Sequence, residues 1–83
     1  MKKITIYSTR ICPYCVRAKN FFNKKNLEYT EIMIDRDPNQ MRAMMEKSGR
    51  QSVPQIFIGD YHVGGFDDLI EHDMDGKLEG LLG

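Results

Sequence analysis

Ile4-Thr5-Ile6-Tyr7-Ser8-Thr9-Arg10-Ile11-Cys12-Pro13-Tyr14-Cys15-Val16-Arg17-Ala18 is the stretch that decides the architecture. Thr5 and Tyr7 alternate with Ile4 and Ile6, the two-residue period of a strand with one face more buried than the other. Pro13 suits the first position of a helix, where the N–H it lacks would have no intrahelical partner. Val16, Ala18, Phe21 and Phe22 supply an apolar helical face, with Arg17, Lys19, Lys24 and Lys25 around the rest. Asn26 is expected to stop that helix. A strand therefore runs into a helix, and a Cys-x-x-Cys pair sits on the join.

Outward from this unit, Glu28 to Ile34 reads as a second strand, and a strand–helix–strand crossover implies a parallel pair. Asp37-Pro38-Asn39-Gln40 then combines an acceptor at the cap, proline at the first position and Gln at the third, a helix-start signal. Met41, Met44 and Met45 share one face of this helix as core filler, and Ser48-Gly49 ends it. Val53-Pro54 leads into the apolar run Ile56-Phe57-Ile58. Gly59-Asp60 is a hairpin-turn pair, and Tyr61 to Val63 is the return strand. After Gly64-Gly65, Asp68-Leu69-Ile70-Glu71 is a cap-like start for a helix reaching about Asp75, with Gly76 as its stop. A last short helix is expected over Lys77 to Leu82. The order β-α-β-α-β-β-α predicts an α/β fold, a mixed four-stranded sheet with two helices on one face and a third on the other.

The 83 residues suit a single domain over 1–83. Twelve basic residues balance twelve acidic ones, so no overall field favours nucleic acid or an anionic membrane. No apolar run approaches the roughly 20 residues of a spanning helix. Met1-Lys2-Lys3-Ile4 leads into a strand carrying Thr5, Tyr7, Ser8 and Arg10 rather than an apolar signal region, so a cytoplasmic, reducing setting is expected. A monomer is expected as well. In a reducing compartment Cys-x-x-Cys pairs are more often catalytic or metal-binding than structural. A bond between Cys12 and Cys15 would close a tiny loop and restrain the unfolded chain very little.

The position of the pair supplies a chemistry. Cys12 would lie at the helix cap, beside unpaired backbone N–H groups and the positive end of the helix dipole. Helix N-termini lower a cysteine pKa from about 8.5 to about 3.5–7.5, which favours the nucleophilic thiolate. Cys15, nearly one turn inside, would be more buried and within reach of a mixed disulfide on Cys12, which it can resolve. Competing readings are two buried cysteines packed as small hydrophobes and a metal site. A closed metal site needs four ligands, and His62 and His72, read as surface residues, lie at no finger-like spacing. No metal is expected.

Cys12-Pro13-Tyr14-Cys15, then Ser52-Val53-Pro54, then Gly64-Gly65-Phe66-Asp67-Asp68 closely resemble the glutaredoxin pattern in order and spacing. The resemblance covers essentially the whole chain and is to the small bacterial branch, with its thioredoxin-like fold. Thioredoxins themselves carry Trp-Cys-Gly-Pro-Cys, and this sequence has no tryptophan. The resemblance implies a glutathione-dependent thiol–disulfide oxidoreductase with no bound cofactor. Glutathione would be the reducing co-substrate, and disulfide-bonded or glutathionylated proteins the partners. Potentials of about −200 to −230 mV let the glutathione pool regenerate such enzymes.

It also implies a binding site. Pro54 would be cis and face the cysteines, and Val53 would offer its backbone N–H and C=O to the cysteine part of glutathione. The backbone amides around Phe66 and Asp67, at a helix N-terminus, would receive the γ-glutamyl carboxylate, and Asp67 or Asp68 would take the amine. Gly64-Gly65 would allow close backbone approach, Tyr14 would lay its ring against the thiols, and Ser52 stands where threonine is commoner. A lysine usual three residues before the first cysteine is here Thr9. Arg10 is then the candidate cation for the glycine carboxylate, with Arg50 and Gln51 on the opposite rim. Phe66 replaces an additional cysteine of some relatives. Taken one at a time, Val53-Pro54 also reads as a loop entering a strand, Asp67-Asp68 as a helix cap, Tyr14 as an exposed loop residue and Arg10 as a solvated charge. Rival readings of the whole are a carrier reduced by thioredoxin reductase, a glutathione-ligated iron–sulfur binding module, and a redox-sensing adaptor.

Overall fold

The computed structural model describes residues 2–83. Its elements are β1 (Ile4–Ser8), α1 (Pro13–Lys24), β2 (Thr30–Met33), α2 (Pro38–Ser48), β3 (Gln55–Ile58), β4 (Tyr61–Gly64), α3 (Phe66–Met74) and α4 (Lys77–Leu82). The expected order is present, with α4 appended. The strands form one mixed sheet in the order β2-β1-β3-β4. β1 is parallel to β2 and antiparallel to β3, and β3 is antiparallel to β4.

Strand alternation sorts the side chains onto two cores. Ile4, Ile6, Ile56 and Ile58 face one side and pack with Ala18 and Phe22 of α1, Leu69 of α3 and Leu78 of α4. Tyr7 and Phe57 face the other side, where they meet Ile34 and Met44, with Met41, Met45 and Val53 packed against them. The three methionines therefore do serve the core of α2. Val16 does not: it is 49% exposed, because the inward face of α1 is Cys15, Ala18 and Phe22.

Two boundaries differ from the sequence reading, those of β2 and α3. β2 spans Thr30–Met33 rather than 28–34, because its ladder lasts only as long as Thr5–Ser8 of β1 lie opposite. α1 stops where expected: its last residue is Lys24, and Asn26 turns the chain with φ of 58°. α3 begins at Phe66, two residues before the expected start at Asp68, with Gly65 as its cap residue. Across β3 and β4 the register shifts between Ile56, opposite Gly64, and Phe57, opposite His62, which leaves Val63 as an extra residue. Such a bulge bends a strand, and here it lies immediately before Gly64-Gly65. At the two extremes of the described chain, Lys2 N–H donates to the Leu82 carbonyl at 3.1 Å.

Candidate active site

The cysteines follow the C-terminal end of the central strand β1, and α1 starts on them. Cys12 is the cap residue of α1, its backbone extended (φ −155°, ψ 98°), with Pro13 at the first helical position. Its sulfur accepts the Cys15 N–H at 3.2 Å, so one of the unpaired donors of the helix start points at Cys12 Sγ. Cys12 and Cys15 are joined as a disulfide with Cα atoms 5.2 Å apart. Cys15 is 1% exposed, whereas Cys12 is half-buried. Attack from outside therefore reaches Cys12.

A second loop comes up beside the sulfur. The Val53–Pro54 peptide bond is cis, and the Val53 carbonyl oxygen lies 3.8 Å from Cys12 Sγ. This loop is tied down from behind by Gln55, which is 1% exposed. The Gln55 amide donates to the Ser52 carbonyl at 3.0 Å, and its oxygen meets His62 Nε2 at 2.7 Å. His62 is thus not a free surface residue: its ring lies tilted 4.9 Å from that of Phe57. Burial, and then the Arg50 charge, lower its pKa.

The third wall is the start of α3. No side chain caps this helix. Asp68 Oδ2 instead reaches back to accept the Gly65 N–H at 2.9 Å and the Arg50 Nη1–H at 3.0 Å. These two bonds, the Gly65 one first, hold the Asp68 pKa below its ordinary value. Gly64 adopts φ of +116°, and a Cβ there would run into the Asp68 carboxylate. Only glycine fits that position.

Together the three walls enclose an open cleft of about 190 Å³, lined by Tyr14, Arg50, Ser52, Val53, Pro54, Gln55, Gly65, Phe66, Asp67 and Asp68. Tyr14 and Phe66 close one side with ring centroids 6.2 Å apart. The residues singled out from sequence thus converge, with one exception. Arg10 is turned away: its N–H bonds Asp35 at 3.1 Å, and its Nε lies 3.8 Å from the same carboxylate. The cation that lines the cleft is Arg50. Gln55 was missed as a supporting residue, because its partners Ser52 and His62 meet it only through the fold. Behind β1, Glu31 accepts from Ser8 Oγ and from Lys19 Nζ, the latter at 2.8 Å. These bonds, Lys19 first, lower the Glu31 pKa. No cluster of three or more His, Cys, Asp or Glu side chains suited to a metal occurs among the described residues. Among the described residues no helix is long and apolar enough to cross a membrane.

Comparison with known proteins places this arrangement. The glutaredoxin family model matches residues 4–63. The glutaredoxin of Pseudomonas aeruginosa is 44% identical over 82 residues, covering 99% of this chain and 98% of its own. Glutaredoxin 3 of Escherichia coli is 43% identical over 82 residues, covering 99% of both chains. Among solved structures, the glutaredoxin of Brucella melitensis superimposes with a TM-score of 0.85 at 46% identity, covering 99% of this chain and 89% of that one. The buckwheat glutaredoxin–glutathione complex does so with a TM-score of 0.88 at 32% identity, covering 98% of this chain and 76% of that one. With a full-length match in sequence, a shared mixed sheet and a Cys-x-x-Cys pair at the helix start, the chain belongs to the glutaredoxin family of thiol–disulfide oxidoreductases.

Proposed function

We propose that the chain is a glutathione-dependent disulfide reductase in which Cys12 is the nucleophile and Cys15 the resolving thiol. The observation that carries this reading is the cleft itself, which brings a backbone carbonyl, an uncapped helix start and a carboxylate to the side of the accessible sulfur. Glutathione fits that set: a peptide-like middle for Val53, an α-carboxylate for the amides around Phe66 and Asp67, and an ammonium for a carboxylate. Asp68 Oδ2 already serves Gly65 and Arg50, so the ammonium is left with exposed Asp67 or the second oxygen of Asp68. Arg50, not Arg10, is the cation for the glycine carboxylate, and an Arg–carboxylate pair suits that role. That a buckwheat relative of the same fold forms a complex with glutathione supports glutathione as the ligand.

The reaction balances in two ways. With a glutathionylated protein, the Cys12 thiolate attacks the glutathione sulfur and the protein sulfur leaves as a thiolate that takes a proton from water. A second glutathione thiolate then attacks the glutathione sulfur of the Cys12 mixed disulfide, releasing glutathione disulfide and the Cys12 thiolate. With a protein disulfide, Cys12 forms a mixed disulfide with the target, and Cys15 displaces the target's second thiolate by closing the Cys12–Cys15 bond. Two glutathiones reopen it. The Cys-x-x-Cys chemistry suits work on protein disulfides in a reducing cytoplasm.

The test is NADPH consumption in the presence of glutathione, glutathione reductase and a small glutathione mixed disulfide. Turnover is expected in wild type and in Cys15→Ser, and none in Cys12→Ser. No wild-type turnover in folded, reduced protein would overturn the reading.

A further inference from the structure

Around the cleft mouth, exposed apolar side chains gather near Cys12. Among the described residues, the exposed large apolar side chains are Ile11, Tyr14, Val16, Tyr61 and Met74. Three of these five lie within four positions of Cys12, and Ile11, its immediate neighbour, is 87% exposed. Exposed apolar area grouped around a reactive atom marks a contact surface rather than random scatter.

This patch runs into a second concavity. On the far side of the Tyr14–Phe66 pair, a shallow groove of about 310 Å³ lies between α1 and the start of α3, lined by Arg17, Asn20, Phe21, Lys24 and Phe66. Its floor is aromatic and its rim is cationic, with no acidic side chain in the lining. The Arg17 guanidinium lies over the Tyr14 ring at 5.0 Å, so the groove begins at the residue that borders the cleft. Neighbouring cations are already neutralised: Lys25 pairs with Asp73 at 3.2 Å and Lys19 with Glu31 at 2.8 Å. Arg17 and Lys24 have no carboxylate partner among the described residues.

We infer that this groove receives the polypeptide part of the substrate, and that it selects acidic segments around the glutathionylated cysteine. The inference rests on the glutathione-dependent reading of Cys12. With the glutathionyl group in the cleft and its sulfur at Cys12, the protein part must leave past Ile11 and Tyr14. Electrostatic complementarity at such a rim gives selectivity and speed of encounter. Along α1, at about 1.5 Å per residue, Arg17 lies about 7 Å and Lys24 about 18 Å from Cys12. An extended chain covers about 3.3 Å per residue, so the preferred acidic side chains lie about two and about five residues from the reacting cysteine.

Three glutathionylated peptides test this, identical except for Asp, Gln or Lys at those two positions. They are compared with the small glutathione mixed disulfide in wild type and in Arg17→Glu/Lys24→Glu. Wild type is expected to favour the Asp over the Lys peptide by about tenfold in kcat/KM at low salt, mainly through KM. The ratio should fall below about threefold near 0.5 M salt, where screening lengths are a few Å. The double variant should prefer the Lys peptide, a gain that misfolding cannot mimic. Equal rates for all three peptides, or an unchanged order in the double variant, would overturn the inference. Because the small disulfide reports on the cleft alone, its turnover beside equal peptide rates would sink the groove and leave the proposed function standing. Its failure in wild type would sink both.

Discussion

The starts of α1 and α2 are built from the same local device and do different things. In each, an extended residue precedes a proline at the first helical position: Cys12 at φ −155° and ψ 98°, Asp37 at φ −143° and ψ 107°. In each, the side chain of that residue accepts a backbone amide, Cys12 Sγ from Cys15 at 3.2 Å and Asp37 Oδ1 from Asn39 at 2.9 Å. A carboxylate there is inert and serves the helix alone. A sulfur changes its charge with its bonding state, so the same amides that stabilise the fold also stabilise the leaving and attacking forms of the thiolate. What separates the two starts is the neighbourhood: the Val53 loop and α3 face Cys12, with the Val53 carbonyl 3.8 Å from its sulfur. A helix start becomes a reactive site when the fold brings a binding surface up to its cap.

Exchanging the cap atoms breaks the comparison most sharply. Cys12→Asp gives α1 the cap of α2, and turnover should fall by more than about 1000-fold because the proposed nucleophile is gone. Thermal melting under reducing conditions should show the fold retained, with stability at or above that of Cys12→Ala. Residual turnover within about tenfold of wild type would show that Cys12 is not the attacking atom. A smaller effect is expected at the third helix start, where Gly65 offers no side chain and Asp68 reaches back. Asp68→Asn should raise the KM for glutathione by about threefold to tenfold, a binding effect in steady-state kinetics. Removing the purely structural cap costs less still. Asp37→Ala should lose about 1 kcal/mol, or about 4–8 °C in Tm, with turnover unchanged well below melting.

The smallest effect sharpens how β1 is anchored where it enters α1. Glu31 holds Ser8, four residues before Cys12, and Lys19 of α1. Its depressed folded pKa means that its contribution is present above the ordinary value of 4.5 and is lost as pH falls through the lower folded value. Because the pair is at the surface, the contribution is a few tenths of a kcal/mol. Denaturant titrations should therefore show wild type ahead of Glu31→Gln near neutrality, with the gap closing as the solution is acidified below that value. A gap that widens in acid would contradict the sign.

Local chemistry was legible in the sequence and long-range pairing was not. Pro13, Pro38, Gly49, Gly59 and Gly76 punctuate the chain through rules that act within a few residues, and their helices and hairpin lie where those rules put them. The glutaredoxin motifs converge in space as the resemblance implied. The errors occur where a residue's neighbour is remote. Arg10 and Arg50 look equivalent as rim cations until Asp35 takes one and Asp68 the other. Val16 fits an apolar stripe on helical period, yet the sheet meets α1 one step round, on Cys15, Ala18 and Phe22. β2 is cut to the length of its parallel partner, a limit that its own residues do not carry. His62 reads as a surface histidine because Gln55 and Phe57, which half-bury it, lie across a hairpin.

The hydrogen bond from Lys2 N–H to the Leu82 carbonyl makes the chain almost a closed ring. A short flexible linker across that gap would let the ring be reopened elsewhere, and circular permutation succeeds where ends are close and the new break is exposed. The exposed turn at Lys25-Asn26 is such a place. Opened there, the chain would begin with β2 and end with β1 and α1. On the ribosome the sheet partners and the binding walls would be complete before the cysteines emerged, so the order in which the fold and its chemistry are assembled becomes something that can be chosen.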